Sequence, residues 1–232
     1  MCGCDILDDC NRTQHYIMNR LKRGHIAIII IIAVLLIDQI VKFLVKTNMF
    51  IGECIDVTSW FKIAFIENNG AAFGMELGDK LFLTLFRIIA SGVLGYALWY
   101  ICRKPQYTMG FIASVALIEA GAIGNIIDCM FYGLIFNAPM PPEVATLFPV
   151  DGGYAPFMYG RVVDMLYFPL FSFYWPDWMP WVGGEYFEFF RPIFNIADSA
   201  ICVGVAIILL FYYKQLAYDE PQGKEGNEHT EK

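Results

Sequence analysis

Four stretches of this chain are mostly apolar over about 20 residues, the length at which a helix crosses the hydrocarbon core of a bilayer. They run from His25 to Val45, Leu81 to Cys102, Thr108 to Gly133 and Phe194 to Lys214. The first opens with an unbroken apolar run from Ile26 to Ile37 and continues past any small-residue cleavage site, so it reads as a span and not as a cleaved signal peptide. The pattern between the spans is different. Segment 55–66 is rich in β-branched and aromatic residues (Val57, Trp60, Phe61, Ile63, Phe65, Ile66) and predicts extended structure at a membrane surface. Segment 166–194 is crowded with Phe, Tyr and Trp, which suits the water–lipid boundary. The expected fold is therefore an all-α membrane protein: four transmembrane helices in a bundle, with a small extended or β subdomain on the outer, periplasmic side.

Basic residues orient the spans. Arg12, Arg20, Lys22 and Arg23 precede the first, and Arg103 and Lys104 lie in the short turn between the second and third. Positive flanks stay in the cytoplasm, so both termini are expected inside. Residues 1–24 form a flank, of which 1–17 are expected to be disordered. Residues 25–214 form the four-span domain, with outer loops 46–80 and 134–193, and 215–232 form a polar tail. Loop 134–193 has only Arg161 and Arg191 against six acids.

Composition agrees with this reading. The chain has 232 residues, 57% of them hydrophobic and only 17% charged, with a mean hydropathy of +0.50, well outside the soluble norm. A formal net charge of −7 argues against nucleic acid as a partner. Seven cysteines are an odd count, three of them in or beside apolar runs, and no disulfide framework emerges.

Charge inside a span costs about 2.5–3.5 kcal/mol per group on insertion scales and needs an explanation. Asp38 and Lys42 lie four apart on one face of the first span and can pair; a snorkelling pair near the interface is the plain alternative. Asn68-Asn69-Gly70 signals a tight turn. In the third span, Gly121, Asn125 and Asp128 share one helical face, a packing stripe unless Asp128 serves a site. Asp164, in Gly160-Arg161-Val162-Val163-Asp164, would alone be an ordinary solvated acid. Asn195 and Asp198 open the fourth span, where both residue types cap helices. Under this topology Asp38, Asp128, Asp164 and Asp198 all meet one membrane face, and a shared site there is simpler than four independent accidents.

The available chemistry is narrow. His15, His25 and His229 fall on the opposite side, which removes Ser-His and Cys-His pairs, and no His-Glu-x-x-His zinc motif occurs. Ser199 with Lys42 has no supporting motif. Oxygen ligands could hold Mg²⁺ or Ca²⁺. Two aspartates sharing a proton need no histidine: held close, they cannot both ionise, and the pair supplies an acid and a base. A proton-coupled carrier would also keep acids in a bundle, but would string them along a path across the membrane.

These residues resemble lipoprotein signal peptidase, or signal peptidase II. Asp38, Gln39 and Lys42 match its Asp-Gln-x-x-Lys motif. Asn68, Gly70, Ala71, Ala72 and Phe73 match Asn-x-Gly-Ala-Ala-Phe; Gly124, Asn125 and Asp128 match Gly-Asn-x-x-Asp; Val162, Val163 and Asp164 match Val-Val-Asp. Phe194, Asn195, Ala197, Asp198 and Ser199 match Phe-Asn-x-Ala-Asp-Ser. Each motif is weak alone, and five in order are specific. The resemblance implies a membrane aspartic endopeptidase with Asp164 and Asp198 as catalytic dyad. It implies supporting or substrate-binding roles for Asp38, Lys42, Asn68, Gly70, Asn125, Asp128, Asn195 and Ala197, to which Arg161 is added as a supporting candidate on other grounds, given below. The implied substrate is a prolipoprotein bearing a diacylglyceryl-cysteine, cut just before that cysteine. Its lipid is expected between the spans and its peptide under the outer extended segment. Globomycin is the inhibitor associated with the family. Membrane lipids are expected partners, no cofactor or metal is expected, and the enzyme is expected as a monomer in the bacterial inner membrane with its site at the outer face. Two departures stand out. The family usually has Arg where Cys129 stands, and Arg161 is a candidate replacement. Residues 134–160 and 169–190 are longer than the family's connections and read as added loops.

Overall fold

The structure, a computed structural model, describes residues 4–70 and 80–216, with side chains from residue 22 onward. Ala71, Ala72 and Phe73 of the second motif and most of the polar tail, from 217, lie outside the described residues.

Helix α1 runs from Cys4 to Asn48. No proline interrupts this stretch and Gly24 is its only glycine, so nothing stops the helix on the N-terminal side of the span. The flank expected to be disordered is thus helical from Cys4. Helix α2 spans Lys80–Cys102. A turn containing Pro105 leads to α3, Met109–Ile135, whose N-cap Thr108 accepts a hydrogen bond from the Phe111 amide. Helix α4 spans Ile196–Leu216. The apolar parts of all four are long enough to cross a membrane. The last helix begins two residues later than hydropathy implied, because Phe194 is drawn into a strand and Asn195 is its cap.

Helix α3 is the axis of the bundle. More than half of its apolar window is buried, whereas the other three expose most of their surface to what would be lipid. Small residues let its neighbours approach closely. A Cβ on Gly124 would stand 2.9 Å from the Asp38 carboxylate and 3.1 Å from the Ala197 Cβ, so α1, α3 and α4 meet at this glycine. A π-helical turn at Asp128–Tyr132 then widens α3, a device common at functional sites.

A four-stranded antiparallel sheet sits at that end of the bundle, in the order β1 (Cys54–Asp56), β2 (Lys62–Asn68), β3 (Val162–Tyr167), β6 (Ile193–Phe194). The expected extended segment is the β1–β2 hairpin. Val45, Met49, Phe65, Tyr132, Phe136, Val163 and Met165 form a core that ties the sheet to α1 and α3. A separate two-stranded hairpin, β4 (Phe171–Tyr174) with β5 (Tyr186–Phe189), fills the second added loop. Its cross-strand rings stack, Phe171 on Phe189 at 4.8 Å.

Candidate active site

The register of β2 and β3 places the first carboxyl. Ile66 pairs with Asp164 and Asn68 with Val162. Side chains alternate along a strand, so Asn68 is a diagonal same-face neighbour of Asp164, and its Nδ2 donates to Asp164 Oδ2 at 3.2 Å. Glu67 faces the other way and binds the buried Lys46 and, at 2.9 Å, Arg161.

The second carboxyl is placed by a helix cap. Asn195 Oδ1 accepts from the Asp198 amide at 2.8 Å, and Asp198 Oδ2 reaches back to the Asn195 amide at 3.4 Å. This reciprocal capping box stops Asp198 from swinging away. Asn195 also reaches the other acid: its Nδ2 donates to Asp164 Oδ1 at 2.7 Å and to Asn125 Oδ1 at 3.2 Å. Asn125 Nδ2 in turn donates to Asp198 Oδ1 at 2.7 Å. Two asparagines, from α3 and from the cap of α4, therefore hold the two carboxyls in one network.

The remaining acids are used differently. Lys42 is fully buried and its ammonium contacts Asp38 Oδ2 at 2.9 Å, Asp128 Oδ2 at 2.8 Å and Asn125 Oδ1 at 3.0 Å. All three of its N–H groups are then engaged. Asp38 Oδ1 accepts from the Ala197 amide at 2.8 Å, and Asp128 Oδ2 from the Val163 amide at 3.3 Å. Gln39 donates to Asp38, Asp128 and the Gly124 carbonyl. Asp38 and Asp128 are thus saturated, sealed and neutralised in part by one cation. They weld α1, α3, β3 and α4 together. The snorkelling alternative for Asp38 and Lys42 is excluded by their burial.

Asp164 and Asp198 meet no cation in ion-pair contact among the described residues. Their partners are amides, and Asp198 is only half-buried. Burial pushes the Asp164 carboxyl up to about 7, the nearby Asp198 charge adds to the rise, and the hydrogen bonds from Asn68 and Asn195, with the more distant Lys42 charge, oppose it. Asp164 therefore retains its proton to near neutrality while its neighbour lies within electrostatic reach, as an acid–base pair requires.

Of the other residues singled out, Gly70 adopts φ +85° and its amide donates to Asn68 Oδ1 at 2.7 Å, closing a turn that fixes Asn68. A Cβ there would collide with Leu83. Arg161, the candidate replacement for the missing arginine, binds Glu67 and stacks near Tyr154, on the face of β2 opposite Asn68. Arg87 of α2 is the group that reaches position 129, with Nη1 3.1 Å from Cys129 Sγ. A Cβ on Gly70 would lie 3.3 Å from the same guanidinium. Sequence reasoning omitted Gln39 from the site, together with Tyr132, whose hydroxyl donates to Gln39 Oε1 at 3.2 Å, and the Lys46–Glu67 pair. Gln39 was detectable from its place beside Asp38. The other three carried no local signal.

Residues 30–214 match the family model described as signal peptidase (SPase) II. A lipoprotein signal peptidase of Porphyromonas gingivalis is 48% identical over 195 residues, which cover 84% of this chain and 86% of that protein. One from Amoebophilus asiaticus is 38% identical over 181 residues, 75% of this chain and 72% of its own. A solved structure described as a bacterial membrane enzyme superposes with a TM-score of 0.54 at 27% identity, covering 85% of this chain and 94% of that one.

Proposed function

The chain belongs to the signal peptidase II family of peptidases, and from that premise we propose that it is an aspartic endopeptidase acting on lipidated prolipoproteins. It cuts the signal peptide immediately before the diacylglyceryl-modified cysteine. The observation that carries this reading is the pair Asp164 and Asp198, bridged by Asn125 and Asn195 and free of ion-pair contact among the described residues, with Asp164 retaining its proton to about pH 7.

In this mechanism a water molecule sits between the two carboxyls. The ionised member takes its proton as the oxygen attacks the scissile carbonyl, and the protonated member gives its proton to the carbonyl oxygen. Collapse of the tetrahedral intermediate breaks the C–N bond, and the acid formed in the first step protonates the leaving amine. The two groups titrate as one system, so neither is assigned a fixed role. Asn68 and Asn195 hold Asp164, Asn125 and the capping box hold Asp198, and the Asp38–Lys42–Asp128 cluster fixes the helices that carry them. The β1–β2 hairpin lies over this end of the bundle, where an extended peptide would add its backbone. The lipid tails of the substrate would lie against the exposed apolar helix faces. The positive flanks support a cytoplasmic location of both termini, and a site at the outer face of the inner membrane.

Cleavage of a diacylglyceryl-modified prolipoprotein by the purified protein tests the proposal. Asp164→Asn and Asp198→Asn are expected to abolish cutting while leaving the fold intact. Retained cutting by either variant would remove that residue from the dyad, and cutting of an unlipidated precursor at the same rate would remove the lipid from recognition.

A further inference from the structure

At the end of the bundle away from the carboxyl pair, α1, α2 and α3 part to leave a cavity of about 420 Å³. This is within the range of small-molecule sites. Its walls are apolar, formed by Ala27, Ile28, Ile31 and Leu98 among others, but its two ends are not. His25 and Arg103 stand at the mouth, and Glu119 lies at the deep end. Glu119 is only 6% exposed. Its Oε1 accepts from Ser91 Oγ at 2.8 Å, while Oε2 has no hydrogen-bond partner among the described residues. Gly95 makes room for the carboxyl, since a Cβ there would lie 3.3 Å from Oε1.

In a bilayer an apolar groove at this depth is filled by an acyl chain in any case. A plain chain leaves Oε2 unpaired in hydrocarbon, the situation that membrane proteins avoid. The Ser91 contact accounts for one oxygen as a link between α2 and α3 and leaves the other unexplained. The Arg103 guanidinium lies over the Trp99 ring, 3.2 Å from its centroid, one turn nearer Gly95 than its own backbone, so at 1.5 Å of rise per residue the Glu119 carboxyl beside Gly95 lies about 6–12 Å deeper than that charge. A ligand that meets the basic side chains at one end and Glu119 at the other has an anionic head, an apolar body and a neutral hydrogen-bonding group at that distance along it.

We infer that this cavity binds a fatty acid with a mid-chain hydroxyl, its carboxylate held by Arg103 and His25 at the mouth and its hydroxyl by Glu119 Oε2. The site is independent of the peptidase reading, because it uses none of the groups around Asp164 and Asp198.

Equilibrium binding of radiolabelled 10-hydroxystearate and stearate to the full chain in detergent micelles tests this. The hydroxy acid is expected to bind about tenfold more tightly, the worth of one well-placed buried hydrogen bond. The preference should survive in Glu119→Gln, which keeps a hydrogen-bonding group, and vanish in Glu119→Leu. Ile28→Trp changes a lipid-facing side chain that is 55% exposed and should weaken both ligands by filling the groove, without touching the carboxyl. Equal affinities for the two acids, a preference that persists in Glu119→Leu, or binding unchanged by Ile28→Trp would each overturn the inference.

Discussion

Replacing Asn68 with alanine should move the alkaline limit of cleavage upward. Asn68 Nδ2 donates to Asp164 Oδ2 at 3.2 Å, a contact that favours the ionised carboxyl and so opposes the rise to about 7 caused by burial and Asp198. A hydrogen bond of this kind contributes about 1 kcal/mol, which corresponds to somewhat less than one pH unit. Because the dyad works with one proton, kcat/KM of the native enzyme should fall as pH rises through about 7, roughly tenfold per unit above it. In Asn68→Ala the same limb should lie about 0.5–1 unit higher, whatever the variant does to the plateau. The assay is the pH profile of kcat/KM on a diacylglyceryl-modified prolipopeptide in detergent. A limb that stays in place, or moves to lower pH, would refute the reasoning that links this contact to the dyad. The sign for stability is opposite to the usual carboxylate case. A carboxyl whose folded-state value is raised keeps its proton while the unfolded chain loses it. It therefore destabilises the fold progressively from about pH 4 to about 7, by about 4 kcal/mol at most, and has no such effect below pH 4.

Three further outcomes follow from the geometry. Lys42→Met leaves Asp38 and Asp128 buried without their shared cation and should cost about 3–5 kcal/mol, read as a lower midpoint in SDS-induced unfolding; a midpoint within error of the parent would show that the cluster is not a structural weld. Arg87→Ala should lower cleavage at least tenfold by loosening the Gly70 turn, and Cys129→Arg in the same chain should restore much of it by placing a guanidinium there from α3; failure of the double variant to exceed the single one would argue against this equivalence. Gly124→Ala brings a methyl group against Asp38 and Ala197 and should cost about 1–3 kcal/mol as overpacking, with activity lost in parallel; a stable, active variant would show that the three helices can separate there without consequence.

Residue types alone were enough to identify four spans, because about 20 apolar residues with satisfied backbone have few stable states other than a membrane helix. The β1–β2 hairpin was equally legible, since β-branched and aromatic residues between polar turns favour a sheet. Which polar groups would meet was decided by tertiary structure. Asp38, Asp128, Asp164 and Asp198 look alike as residue types; the family motifs single out the last two, and the fold supplies the physical difference: the first two converge on Lys42, while the other two are left with amides. The β2–β3 register turned Glu67 toward Lys46 and Arg161, away from Asp164, and a one-residue slip would have exchanged its place with Asn68. Arg161 was near the site in sequence and Arg87 far from it, yet α2 brings Arg87 to Cys129. Local pattern determines how each segment buries itself. Contacts between residues some 30 to 160 positions apart depend on crossing angles and strand register, which no single segment encodes.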